Sequence, residues 1–299
     1  MKKKIIKTVI LSVLMINLSS CASSNQNKDN IALVDGIAIS NEAYFDELDF
    51  YQKYYSKKYG EGYLEKEVER NKTNKDILEK ELVDSMVKDQ VMVNDLKANN
   101  IKVDDSSASS IRKDLEDKLG GKDSLKANVK AIGVDENKFN QILYNDSIRD
   151  QHYNYFLGHN NIKDTEILEY YKANEKYQKQ YKYNVLVFDN QNEAQKVHDK
   201  LKSASDFKYQ LNKPIQNYEV INSDFVYNDD PLLKASGVLK KDKISNIFKY
   251  EDKYMILMVN SYNENENELL INVKEIYLKE KYQEYLNKLV KKSKIRLFV

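Results

Sequence analysis

The chain has 299 residues, 41% of them hydrophobic and 32% charged, with 48 basic residues against 47 acidic ones and a single cysteine. That balance lacks the basic excess of a nucleic-acid binder, and one thiol excludes a disulfide framework or a cysteine-ligated metal. Two prolines and eight glycines favour a mainly helical chain. The 23 tyrosines, with no tryptophan, supply broad apolar faces with polar tips, suited to helix packing and to contact with unfolded peptides.

The first residues read as an export signal. Lys2, Lys3, Lys4 and Lys7 precede an apolar run from Thr8 to Leu18, and Leu18–Cys21 matches a bacterial lipobox. The run is too short to span a bilayer, which takes roughly 20 apolar residues. Residues 1–20 are therefore expected to be cleaved and Cys21 to carry lipid, holding the chain outside the bacterial cell membrane. Removing four lysines leaves 44 basic against 47 acidic residues, a formal charge of −3. Residues 21–30 are small and polar and read as a flexible tether.

Ile31–Val34 and Ile37–Ile39 flank Asp35-Gly36, a hairpin dipeptide. Ser40 is placed to cap a helix carrying Phe45, Leu48 and Tyr51 or Tyr55. Thr73 caps a longer one with Leu78, Leu82, Met86, Val93 and Leu96 on a stripe. Asp104 or Asp105 opens a third helix, which Gly120-Gly121 closes, and a short helix ends at Gly133. Asp135 begins a helix with Phe139 and Leu143 that reaches Gly158, and Asp164 or Thr165 starts another. Residues 31–179 are thus predicted to form a helical domain.

The pattern changes near residue 180. Tyr183–Phe188 and Tyr254–Val259 read as strands. A short helix over Asn192–Leu201, strand-like runs from Asn217 to Val226 and a small helix after Pro231 through Leu233 and Leu239 lie between them. Residues 180–262 are expected to be a compact α+β module. Residues 263–299 give a charged amphipathic helix and a terminal apolar run. Because lone terminal strands are unstable, Ala32–Val34 is expected to pair with Arg296–Phe298. The fold class is α+β: a helical domain with the module inserted before a C-terminal helix.

This order of parts resembles the PrsA-like foldase lipoproteins and the SurA-like periplasmic chaperones over nearly the whole mature chain. The likeness is carried by Val34–Glu42, by the long helix Asp76–Lys97 running into Asn99–Asp104, and by Ile162–Tyr171 before the module. The module itself resembles a parvulin-type peptidyl-prolyl isomerase. Parvulins carry a histidine in the first strand and another in the last. Here Asn184–Val187 and Lys253–Leu257 stand in those places, with Asn184 and Met255 at the two histidine positions. Asp224-Phe225 resembles the strand before the proline pocket. Rotating a prolyl amide needs a pocket and a polar network rather than covalent chemistry, and Met255 cannot supply an imidazole's hydrogen bonds.

The resemblance therefore implies a chaperone for unfolded or newly secreted polypeptides, binding them in a tyrosine-rich cleft between helical domain and degenerate module, with no cofactor. Asn184, Phe225 and Met255 are the parvulin-position candidates. An active isomerase, or a surface scaffold that binds one folded partner, are the alternatives. His152 and His159 lie seven residues apart without a carboxylate or third nitrogen placed to complete a metal site. His198 lies away from both parvulin histidine positions, and no phosphate-cradling loop occurs.

Overall fold

A computed structural model describes residues 29–104, 106–212 and 217–299; the leader, Cys21, most of the tether and Asp105 lie outside them. Strands β1 (Asn30–Val34) and β2 (Ile37–Ser40) form the expected hairpin. Asp35 and Gly36 both take positive φ, 51° and 85°, as a tight two-residue turn demands. The C-terminal strand β9 (Ile295–Leu297) adds to the other edge of β1. Ala32 pairs with Leu297 and Val34 with Ile295, and the Phe298 amide donates to the Ile31 carbonyl at 2.9 Å. The first and last described strands thus share one sheet, of order β2-β1-β9.

Helix α1 (Asn41–Tyr59) starts at Ser40, whose hydroxyl accepts the Ala43 amide. Its buried side runs through Tyr44, Leu48, Tyr51 and Tyr55, whereas Phe45 is 59% exposed. Leu48, Tyr51 and Tyr55 of the expected stripe face this core, and only Phe45 does not: spacings of three and four residues both lie near one turn, and Tyr44 takes the buried place. A small hairpin, β3 (Glu67–Glu69) and β4 (Lys72–Thr73), follows. Helix α2 (Asn74–Ala98) then begins with a reciprocal cap in which Thr73 and Asp76 satisfy each other's backbone amides.

Helices α3 (Ser106–Leu119), α4 (Lys122–Ile132) and α5 (Glu136–His159) follow. Asp104 accepts the Ser106 amide at 2.8 Å, Gly133 closes α4 in the left-handed region, and Asp135 caps α5. Leu125, Val129, Phe139, Ile142 and Leu143 bury a core against Phe50 of α1. A second core joins the terminal sheet to α1, α2 and α5, and Leu286 and Val290 belong to it.

Beyond helix α6 (Asp164–Ala173), strand β5 (Gln180–Phe188) opens an antiparallel sheet of order β6-β5-β8-β7, with β6 at Glu219–Asn222, β7 at Phe248–Tyr250 and β8 at Lys253–Asn263. Alternate residues face opposite ways. On one face Tyr183, Val185 and Val187 pack with Met255, Leu257 and Val259 beneath Leu233 of α9 (Pro231–Ser236). On the other, Leu186, Phe188, Ile256 and Met258 meet Ala194 of α7 (Gln191–His198) and Phe207 of α8 (Ala204–Leu211). Burial on both faces makes these strands read as unbroken apolar runs. Helix α9 stops at Gly237, in the left-handed region, before reaching Leu239, which is 42% exposed.

Helix α10 (Glu266–Lys292) is a single long element. Its Leu269, Val273 and Tyr277 pack on Ile167 and Tyr171 of α6. Contacts divide the chain into two units: the described residues up to Asn160 with Tyr282–Val299, and Asn161–Lys281. Residues 161–179 and 263–281 thereby group with the module. No helix among the described residues is long and apolar enough to cross a membrane.

Candidate functional site

Within the helical unit, α1, α2, α5 and α10 leave a cavity of about 370 Å³. Helix α2 contributes Leu78, Leu82, Ser85, Asp89 and Met92, spaced by alternating fours and threes so that they share one face. Tyr51 and Tyr55 of α1 form one wall, and Tyr282 and Leu286 of α10 another. The half-exposed Asp84, Lys88 and Gln283 and the exposed Glu81 stand at the mouth.

The polar floor is internally satisfied. Arg149 donates from Nε and Nη2 to both carboxylate oxygens of Asp89, at 2.8 and 2.7 Å. It also reaches Ser85 Oγ at 2.9 Å and Asp146 Oδ1 at 2.7 Å. Burial pushes the Asp89 carboxyl up, and the guanidinium fork pulls it back. Burial opposes the charge on Arg149 too, but the two aspartates hold it firmly protonated. Nearby, Glu47 is only 4% exposed and accepts a hydrogen bond from Asn145 Nδ2 at 3.0 Å. Burial, reinforced by the charge of Asp89, pushes its carboxyl up to about 7.

A second network joins α2, α5 and the end of α10. His152 is fully buried. Its Nδ1 lies 2.8 Å from the Tyr282 hydroxyl and its Nε2 3.2 Å from Asp95 Oδ2, which also accepts from the Tyr285 hydroxyl at 2.6 Å. Burial lowers the histidine's affinity for a proton, and Asp95 partly restores it. A neutral ring with the proton on Nε2 suits both partners.

Tyrosines on α1 extend outward from the cavity wall. Tyr51, Tyr55 and Tyr59 recur every fourth residue, and Tyr63 follows. The ring centroids lie 6.4, 6.0 and 4.5 Å apart along the row. Lys58 Nζ sits 4.9 Å from the Tyr59 ring and 5.4 Å from that of Tyr54.

In the module, Asn184 is buried and donates to Asn222 Oδ1, while Asn260 Nδ2 donates to Asn184 Oδ1 at 2.6 Å. The amide chain crosses β6, β5 and β8. Met255 pairs with Val187, three positions along the strand from Asn184, and belongs to the opposite face of the sheet. Phe225 is 37% exposed, with Lys182 Nζ 5.8 Å from its ring. The structure therefore does not bring Asn184 and Met255 together in one pocket. His159 contacts its own helix at the Tyr155 carbonyl, and His198 lies 3.2 Å from the Ser245 carbonyl.

Asp89, Arg149, Glu47 and Asp95 went unnoticed in the sequence. Asp89 left a trace: it stands in register with Leu78, Leu82 and Met92, where a solvated acid has no place.

Residues 2–149 match the SurA-like N-terminal domain family. The chain carries a domain of that family, and its helical unit is built around it. Among solved structures, the chain is similar to one from the pair of SurA-like chaperones PEB4 and Cj1289 of Campylobacter jejuni (15% identity, 90% of this chain and 99% of that one, TM-score 0.44). It is also similar to the foldase protein PrsA of Lactococcus lactis (13%, 88% and 91%, 0.41) and to PrsA of Bacillus anthracis (17%, 70% and 94%, 0.34). At these values no residue role is carried across from them. No curated protein matches the chain.

Proposed function

We propose that the protein is an extracytoplasmic chaperone for unfolded, newly exported polypeptides, held at the membrane by lipid on Cys21. The observation that carries the reading is the SurA-like N-terminal domain over residues 2–149, whose helical unit opens a cavity beside a row of tyrosines. Tyrosine offers contact area at little entropic cost and tolerates varied partners. The anchor rests on the lipobox at Leu18–Cys21 and its preceding apolar run.

The module serves in this reading as a structural and binding element rather than as an isomerase. Prolyl isomerisation needs pocket and polar network side by side, whereas Asn184 and Met255 lie on opposite faces of the sheet and Phe225 faces Lys182.

The direct test is suppression of aggregation by the mature protein across several unfolded clients, and failure with all of them rejects the reading. One stoichiometric folded partner in a pull-down would favour a scaffold instead. Turnover of a proline peptide, lost in Asn184→Ala and Phe225→Ala, would restore the isomerase. Cys21→Ala should move the protein out of the membrane fraction; retention there would reject the anchor.

A further inference from the structure

We propose that the cavity beside Tyr51 and Tyr55 is a side-chain binding site, selecting an apolar residue that neighbours a lysine or arginine in an extended polypeptide. This names the substrate class of the chaperone read above and rests on that reading.

Size comes first. Ligand pockets run from about 300 to 1,000 Å³, so 370 Å³ suits one large side chain with some backbone rather than a whole helix. The walls are apolar and adaptable: Leu82, Met92 and Leu286 are each almost fully buried from solvent, and methionine reshapes itself around varied occupants.

The floor favours an apolar guest. Its polar groups are already engaged, with Arg149 bound to Asp89, Asp146 and Ser85. A hydrocarbon side chain entering above them leaves no donor or acceptor newly unpaired, whereas a polar one would give up water without finding a partner.

Charge sets the neighbour. The mouth carries Glu81 and Asp84 against Lys88, and behind the walls Asp89, Asp146 and Glu47 stand against Arg149. Five carboxyl groups stand against Lys88, Arg149 and Lys58, which also acts on Tyr55, and even with Glu47 protonated the acids stay ahead. Such a field attracts a basic residue outside the mouth and repels an acidic one. The carboxylate of Glu81 lies near enough to disfavour ionisation of Tyr55, whose ring forms part of the wall. Lys57 and Lys58 at the end of α1 make the far end of the tyrosine row positive. The basic neighbour therefore belongs on the Glu81 and Asp84 side.

The test uses the mature chain and short fluorescent peptides in a glycine–serine background. One peptide carries leucine between two lysines, one leucine between two glutamates, and one glycine between two lysines. The wild type should bind the leucine–lysine peptide about tenfold more tightly than either control, a difference of about 1.4 kcal/mol. Ser85→Leu, which fills the floor, should erase the preference for leucine over glycine. Glu81→Lys with Asp84→Lys, at exposed and half-exposed positions that leave the fold intact, should erase or invert the preference for lysine over glutamate.

Equal binding of all three peptides by the wild type, or unchanged preferences in the charge-reversed variant, would overturn the proposal. Should the wild type protect unfolded clients yet show no peptide preference, this site assignment fails and the chaperone reading stands. Should it discriminate among peptides yet protect no client, the chaperone reading fails and the site stands.

Discussion

Asp35 and Lys294 hold each other twice: the Asp35 amide donates to the Lys294 carbonyl at 3.0 Å, and the Lys294 amide donates to Asp35 Oδ1 at 2.7 Å. The hairpin turn of β1 and β2 thereby fixes the entry of β9 and the exit of α10. The Lys294 amide also holds the Asp35 carboxyl below its ordinary range. Removing residues 294–299 strips β1 of one neighbour and uncovers Ala32 and Val34, both fully buried. The truncated chain should melt several degrees lower, since about 1 kcal/mol shifts a domain of this size by roughly 2–4 °C. Unchanged cooperative melting would count against the closure.

The buried pair gives a larger effect. Asp89 is 8% exposed and takes two of the Arg149 hydrogen bonds. Asp89→Ala leaves the guanidinium with Asp146 and the Ser85 hydroxyl and should cost about 3 kcal/mol, the scale of breaking one side of a buried ion pair. Replacing both together, as Asp89→Leu with Arg149→Met, should cost less than Asp89→Ala by itself. Denaturant titration of the three variants checks the order.

Glu47 makes folding depend on pH in a defined direction. Its carboxyl is raised from about 4.5 to about 7 in the folded state, so between those values the native protein binds more protons than the unfolded chain. Stability from this group is full below about 4.5 and declines as pH rises through about 7. Glu47→Gln keeps an acceptor for Asn145 and removes the titration. It should be more stable than wild type at pH 8, by roughly 3 kcal/mol at most, and the gap should close on acidification. A gap independent of pH would refute this.

His152 acts with the opposite sign. Its proton affinity is lowered by burial, so the unfolded chain takes up the proton first as pH falls through the ordinary histidine range near 6.5. Stability from this residue is present above that range and lost progressively below it. NMR titration of the imidazole in the native protein should place its midpoint below the usual histidine value. A midpoint at or above that value would show that Asp95 outweighs burial.

The sequence made local structure plain wherever one residue type had one physical use. Asp35-Gly36, Ser40, Thr73, Gly133 and Asp135 each mark a turn or cap found in the structure, because their backbone and side-chain chemistry acts within four residues. The pairing of β1 with β9 was legible for another reason: neither run could be stable alone.

What depends on distant partners was not legible. Glu47 and Asp95 look like any acid in a chain that is 32% charged, and only the approach of Asn145 and His152 distinguishes them; the register of Asp89 marks it as buried but does not name Arg149 as its partner. The β3–β4 hairpin was missed because Glu67–Thr73 is charged and carries no apolar alternation. The placement of Asn184 and Met255 on opposite faces follows from strand register, which a motif alignment does not contain.

The shared sheet of β1 and β9, and the wall that Tyr282 and Leu286 give the cavity, set an order of assembly. A ribosome makes the N-terminus first, so α1, α2 and α5 emerge long before the residues that complete their packing. Asn161–Lys281 lies between them in the sequence, so the first unit waits for its closing segment across the whole of the second. Until Tyr282–Val299 arrive, the first unit keeps an uncovered apolar face that includes Ala32 and Val34. Completing that core, and the cavity wall with it, is a late step in the making of the first unit.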